Sequence, residues 1–145
     1  MLRLTSITPF YPGVARLRAE AREEGFRFVD RLIEDWTAGL NKFDLPGECF
    51  LGAFMEGGLQ GFCGLNRDPY LADHAICRLR HLYVQRGARR AGIGSALVQH
   101  LLMEAKANFR LVRVRTDSKD AAAFYLRQGF LHVTDKTASH IKMLE

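Results

Sequence analysis

Apolar residues recur along the chain in two periods, and the switches between them mark out helices and strands. Leu2, Leu4 and Ile7 form a short β-compatible run that stops at Pro9 and at Pro12-Gly13. From Val14 to Trp36 the spacing is helical, with Phe28, Leu32, Ile33 and Trp36 on one face and Arg27, Asp30, Arg31 and Glu34 between them. Gly25 divides that stretch into two helices, and Gly39 with Asn41–Gly47 predicts a loop. Strands follow at Cys49–Met55 and Leu59–Leu65, joined by Glu56-Gly57-Gly58 as an antiparallel hairpin.

Asn66 to Tyr70 is a polar loop, and Ala75 to Val84 is a long strand in which Ile76, Leu79 and Leu82 stand among Arg78, Arg80 and His81. A Gly- and Arg-rich turn leads into a helix from Gly92 to Ala107, with Ile93, Leu97, Val98, Leu101 and Leu102 on one face. Leu111, Val112 and Val114 mark a further strand. Asp120 is the expected cap of a helix over Ala121–Arg127, which Gly129 ends. Final strands are predicted at Phe130–Thr134 and His140–Leu144. The order β-α-α-β-β-β-α-β-α-β-β, with no repeat or linker, describes one mixed α/β layer structure over residues 1–145.

Composition narrows the class. Hydrophobic residues make up 48% and charged residues 26% of 145, which is ordinary globular usage and argues against disorder. A net charge of +5 is too small to mark a nucleic-acid protein, yet it suits an anionic ligand. Cys49, Cys63 and Cys77 cannot all pair, and none has metal-ligand spacing, so they read as small buried hydrophobes in a reducing cytosol. No apolar stretch reaches the roughly 18 residues of a membrane span, and Met1–Phe10 is too short and polar for a signal sequence. The expectation is a cytoplasmic protein with no metal and neither membrane nor nucleic acid as partner.

The chemistry concentrates between Val84 and Ser95, where a strand meets an amphipathic helix. Glycines there let a ligand approach the backbone, and the helix start offers unpaired N–H groups to an anion. Arg86, Arg89 and Arg90 add positive charge suited to phosphate. No Gly-Lys-Ser/Thr closes the loop and no G-x-G-x-x-G is present, so neither a Walker A loop nor a dinucleotide fold is indicated. The residues alone describe a pyrophosphate cradle.

Arg89-Arg90-Ala91-Gly92-Ile93-Gly94 resembles the R/Q-x-x-G-x-G/A loop of the GNAT superfamily of N-acetyltransferases. Leu82-Tyr83-Val84 stands where that family has its pantetheine-flanking strand. Ala121-Ala122-Ala123-Phe124-Tyr125 with Gly129-Phe130 is similar to its A-x-x-F/L-Y-x-x-x-G-F signature. The resemblance spans nearly the whole chain. It implies a single-domain α/β (α+β) fold, with a mixed, mostly antiparallel central sheet of about seven strands flanked by four helices.

The resemblance also implies roles. The N–H groups of Arg89, Arg90, Ala91, Gly92, Ile93, Gly94 and Ser95 would bind the pyrophosphate of acetyl-CoA. The main chain of Leu82, Tyr83 and Val84 would hold the pantetheine arm. Tyr125 occupies the position of the general acid that protonates the departing thiolate, a role suited to a phenol. Ser118 stands where many members have an Asn that touches the cofactor. The reaction implied is acetyl transfer to a primary amine of a small molecule or protein, in a family where homodimers are common.

A base is harder to place. Family members often use a Glu or a water chain near the strand before the loop, and Ile76–His81 offers no carboxylate. His81 is the nearest group with a suitable intrinsic pKa, and Asp73, His74 and Glu48 are further candidates. Arg78, Arg80, Arg110, Arg113 and Arg115 are expected to extend the basic surroundings of the cofactor. The Phe26, Phe28 and Trp36 group serves as core or walls the acceptor site, and the Asn66–Tyr70 loop is a further candidate for acceptor contact. Two other classes compete with the enzyme reading. They are a non-catalytic acyl-CoA-binding module and a small basic nucleic-acid binder, whose arginines would form a stripe with exposed aromatics.

Overall fold

In the computed structural model, which describes residues 1–145, the predicted hairpin forms the second and third strands of a seven-stranded sheet. The elements in chain order are β1 (Arg3–Ser6), α1 (Val14–Glu23), α2 (Phe28–Thr37), β2 (Cys49–Met55), β3 (Gly58–Arg67) and β4 (Ile76–Val84). They continue with α3 (Ile93–Ala105), β5 (Leu111–Val114), α4 (Lys119–Arg127), β6 (Leu131–His132) and β7 (His140–Met143). Spatial order is β1-β2-β3-β4-β5-β7-β6, and every pair is antiparallel except β4 with β5. The fold is α+β, as expected.

Most boundaries move by a residue or two, and three of the differences change a reading. The loop expected at Asn66–Tyr70 begins two residues later, because Asn66 and Arg67 continue β3 in register with Arg78 and Cys77. The cap of α4 is Ser118, whose Oγ accepts from the Ala121 N–H at 3.2 Å; Asp120 lies inside the first turn instead. The strand predicted over Phe130–Thr134 contracts to Leu131–His132.

Alternation puts one hydrophobic set on each face of the sheet. Helices α3 and α4 cover one face: Ile93, Leu97, Val98, Leu101, Leu102 and Ala105 are buried there with Cys63, Cys77, Leu79 and Val112. Each large aliphatic side chain so buried stabilises by about 1.5–3 kcal/mol. Helices α1 and α2 cover the other face, where Val14, Leu17, Val29 and Leu32 meet Phe50, Phe62 and Tyr83. Asp30 fastens these two helices together by accepting from Arg18 and Arg22, and those bonds, Arg22 foremost, lower its carboxyl to about 2. The junction fixes the start of α2, which becomes part of the site.

All three cysteines are free, and burial raises their thiols, Cys49 to about 11 and Cys77 to about 12. No helix is long and apolar enough to cross a membrane.

Candidate active site

The site is built on a break in the sheet. β4 and β5 pair only over Ile76–Arg78 with Leu111–Arg113, although β4 runs on to Val84. Past Arg78 the two strands part, and the main chain from Leu79 to Val84 has no strand partner on the β5 side. Within that stretch β4 bulges: Phe62 faces Tyr83 and Gly64 faces Arg80, so Cys63 opposes both His81 and Leu82. His81 takes φ 62°, a left-handed conformation uncommon for a non-glycine residue. The bulge inverts the alternation. Before it Cys77 and Leu79 face α3; after it Leu82 and Val84 do, and Tyr83 turns to α1 and α2.

At the end of β4 the chain makes a 3-10 turn over Arg86–Ala88, then takes positive φ at Arg90 (67°) and Gly92 (80°) before α3 begins. From Arg90 to Ser95 no backbone N–H has an acceptor within the chain, and the first helical bond of α3 is Ala96 N–H to Gly92 C=O. Six consecutive free donors thus stand at the positive end of a 13-residue helix. Gly92 is required by its φ, and space for a ligand lies above it, since an added Cβ would meet nothing within 4 Å. The Arg89 N–H, by contrast, is taken by the Arg86 carbonyl at 3.4 Å, so the donor run is one residue shorter than expected.

The arginines beside this loop are not free for phosphate as a group. Arg89 makes a two-pronged pair with Glu24, and Arg86 reaches Glu20 and Glu23, carboxylates at the end of α1 and on the residue that caps it. The Tyr83 hydroxyl also turns to Glu20 and Glu24, and burial and these carboxylates hold the phenol well above its ordinary pKa. Arg90 alone keeps an exposed side chain without an ion-pair partner.

Tyr125 stands on α4. It is buried in the cluster that also takes in Val84 and Leu82 of β4 and Val114 of β5, with Phe124 and Phe130 at ring distances of 5.2 and 5.4 Å. Burial, with a smaller contribution from Cys63, raises its phenol so far that it stays protonated at any working pH. Ser95 and Ser118 are both partly committed: the Ser95 Oγ accepts from Gln128 at 2.7 Å, and the Ser118 Oγ caps α4. Each retains a hydroxyl proton to donate.

On the α1/α2 face, at the point where β4 and β5 part, lies a cavity of about 320 Å³. Phe28, Arg31, Tyr70, Arg78, Arg80, His81, Arg115, Lys136 and Thr137 line it. The arginines expected to surround the phosphates therefore go elsewhere. Arg78, Arg80 and Arg115 face this cavity, Arg113 is buried beneath it against Asp68, and Arg110 pairs with Asp73. Alternation in β4 and β5 carried part of that signal; Arg31 and Lys136 come from distant chain and carried none. Phe28 and Tyr70 reach the wall as walling aromatics, whereas Phe26 is exposed and Trp36 packs at the edge of the α1/α2 core.

His81 is at this wall but is a poor base. Its Nδ1 lies 3.2 Å from the Phe28 carbonyl, which can only accept, so Nδ1 carries the proton and the buried Nε2 has a free lone pair. Burial above all, then nearby Arg80, lowers the imidazole to about 3, so its conjugate acid cannot hold a proton at neutral pH. The other candidates are also displaced: Asp73 binds Arg110, Glu48 accepts from the Leu45 and Arg67 N–H groups, and neither lines the cavity, nor does His74. The His81 shift has a consequence for stability. Between about pH 6.5 and 3 the unfolded chain takes up a proton at His81 that the folded ring refuses, so stability falls with pH across that window. Urea midpoints should fall less steeply in His81→Gln than in the wild type; parallel curves would contradict the depressed pKa.

Comparison with known proteins agrees with this geometry. Residues 46–131, more than half of the chain, match the family model of the acetyltransferase (GNAT) domain. A search of curated proteins finds no match. Among solved structures, a protein from Exiguobacterium sp. 255-15 named as an acetyltransferase superposes with a TM-score of 0.87 at 24% identity, covering 99% of this chain and 93% of that one. Ribosomal-protein-alanine N-acetyltransferase from Brucella melitensis gives 0.77 at 20% identity, with 98% and 99% covered. Ard1 from Thermoplasma volcanium gives 0.72 at 20%, with 99% and 98% covered. At these identities the likeness is one of fold.

Proposed function

The chain belongs to the GNAT family of acetyltransferase domains, and from that membership we propose that it moves the acetyl group of acetyl-CoA to a primary amine by direct attack. The observation that carries the donor is the row of free N–H groups from Arg90 to Ser95 at the start of α3, which fits a pyrophosphate. Acetyl-CoA, when bound, supplies an activated thioester. The free edge of β4 at Leu82, Tyr83 and Val84 suits an extended amide-bearing arm, which can hydrogen-bond as an added strand would. Ser118, at the start of α4, is left a supporting donor.

The amine nitrogen forms a bond to the thioester carbonyl carbon as the carbon–sulfur bond breaks. One proton leaves nitrogen and one reaches sulfur, so the products are an acetamide and the free thiol of CoA. Tyr125 is the proposed donor to sulfur, because its phenol stays protonated and its ring belongs to the cluster against which Leu82 and Val84 of the free edge pack. His81 is proposed as an acceptor for an amine N–H through Nε2, a positioning hydrogen bond that replaces the base role. Three buried or half-buried free thiols suit a cytoplasmic setting.

Acetyl-CoA is expected to raise the thermal midpoint by mass action, and thiol release should appear when an accepted amine is added. Lack of any shift at millimolar acetyl-CoA would overturn the reading. A shift without thiol release from any amine in a broad panel would favour a binding module instead.

A further inference from the structure

Resting on the acetyl-transfer reading, we propose that the acceptor is a small amine that itself carries a carboxylate or phosphate, read by the cavity between α2, β4 and the β6–β7 loop. Five cations line this cavity, Arg31, Arg78, Arg80, Arg115 and Lys136, and no Asp or Glu does. They are not equally committed. Arg78 is held by Asp68 and the Thr137 carbonyl, and Arg115 by the Lys136 carbonyl and, at 3.4 Å, Asp117. Arg31, Arg80 and Lys136 have no hydrogen-bond or ion-pair partner among the side chains around them. Like charges gathered around one concavity repel each other, and an anion in it relieves that repulsion.

Position ties the cavity to the chemistry. Arg78 is the last residue of β4 paired with β5, Arg80 and His81 follow it on the free edge, and Arg115 is the first residue past β5. An acceptor anchored there by its anion holds its nitrogen at the mouth of the gap. The buried, unpartnered Nε2 of His81 stands on the same wall as a hydrogen-bond acceptor for that nitrogen.

Charge and size agree on the class. Polyamines and aminoglycosides bring several positive charges into a site with no carboxylate to receive them, so they are refused. The surrounding cations also disfavour protonation of a bound amine, which reduces the need for a carboxylate base. A volume of about 320 Å³ is at the lower end for ligand sites, roughly 300–1,000 Å³, and suits an amino-acid-sized molecule.

The test is thiol release from acetyl-CoA with matched amines. Glycine and β-alanine probe the carboxylate source, O-phosphoethanolamine the phosphate source, and glycinamide, β-alaninamide, ethanolamine, spermidine and kanamycin serve as counterparts that carry no anion. An acidic amine should exceed its neutral and cationic counterparts in kcat/KM. In Arg80→Glu and Lys136→Glu its KM should rise about 10- to 100-fold, the range for a lost charge-assisted hydrogen bond, while the KM for acetyl-CoA stays unchanged. Arg80→Lys should restore part of the loss. Preference for spermidine, kanamycin or the neutral amides overturns the acceptor class and leaves acetyl transfer standing, as does an unchanged KM in both charge-reversed variants. Turnover of an acidic peptide N-terminus but of no free acidic amine overturns the small-molecule assignment. Acetyl-CoA that neither binds nor loses its acetyl group overturns the donor reading, and this one with it.

Discussion

Tyr125→Phe is expected to lower kcat for acetyl transfer by about 10²-fold, the lower part of the range for loss of a positioned proton donor. The variant should leave the thermal midpoint and acetyl-CoA binding essentially intact. The physical grounds are unusual for a buried tyrosine. No hydrogen bond contributes to its raised pKa, which comes from burial and Cys63, so the ring loses no polar partner when the oxygen is removed. Phe keeps the contacts with Phe124 and Phe130. The ring is buried, but the hydroxyl is not one of the sealed, unpartnered polar atoms of the interior, so the oxygen is open to a ligand. The lower part of the range applies because burial moves the phenol further above the pKa of a thiol, making it a dependable donor but a weaker acid. Undiminished turnover would remove Tyr125 from the mechanism. A fall in thermal midpoint matching the fall in turnover would return it to the core as a packing residue.

How far these roles could be read from the chain depended on whether the signal was local. Helix α3, the hairpin of β2 with β3, and the glycine turn at Gly92 are encoded within a few residues each, so periodicity and backbone preference located them. Ser118 and Asp120 rank nearly alike as N-caps and stand two residues apart, so local chemistry could not choose between them. The β4 bulge leaves a trace in the spacing of Leu79 and Leu82, three residues apart yet packed in one cluster, which a regular strand does not allow.

Long-range partners were not legible at all. Glu20, Glu23 and Glu24 lie more than sixty residues before the arginines they engage, and nothing in either segment announces the pairing. Their effect is to neutralise Arg86 and Arg89 beside the Arg90–Ser95 loop, so an anion bound there would meet mainly backbone N–H groups. Much of the uncompensated part of the +5 charge stands instead around the cavity where β4 and β5 part. On the proposed reading, one end of the cleft would hold an anion through dipoles and the other through side-chain charge.

Asp68→Ala is expected to produce the largest loss of stability among single substitutions in the site, about 3–5 kcal/mol, because it leaves buried cations uncompensated. Its carboxylate is fully enclosed, with Arg113 at 2.7 Å and Arg78 at 3.3 Å, and both guanidinium side chains are 5–6% exposed. The Oδ1 atom also accepts from the Tyr70 N–H at 2.8 Å, which shapes the loop at the cavity wall. Arg113 retains Asp135 and Thr137 as partners, but Asp135 is half exposed and answers for one guanidinium only. Arg78 retains the Thr137 carbonyl and the face of the Tyr70 ring, neither of which carries a charge. For a chain of this length the loss corresponds to a fall in thermal midpoint on the order of 10–15 °C. Asp68→Asn should lie between, since it preserves volume and the bond to Tyr70 while removing the charge. Urea unfolding of the three proteins tests the order: a loss below about 1 kcal/mol for Asp68→Ala would mean that solvent reaches these arginines and screens them as it does surface charges. Equal losses for Ala and Asn would assign the whole effect to charge. A negligible loss for Asn beside a large one for Ala would assign it to the Tyr70 turn and to packing, with the paired charges contributing little.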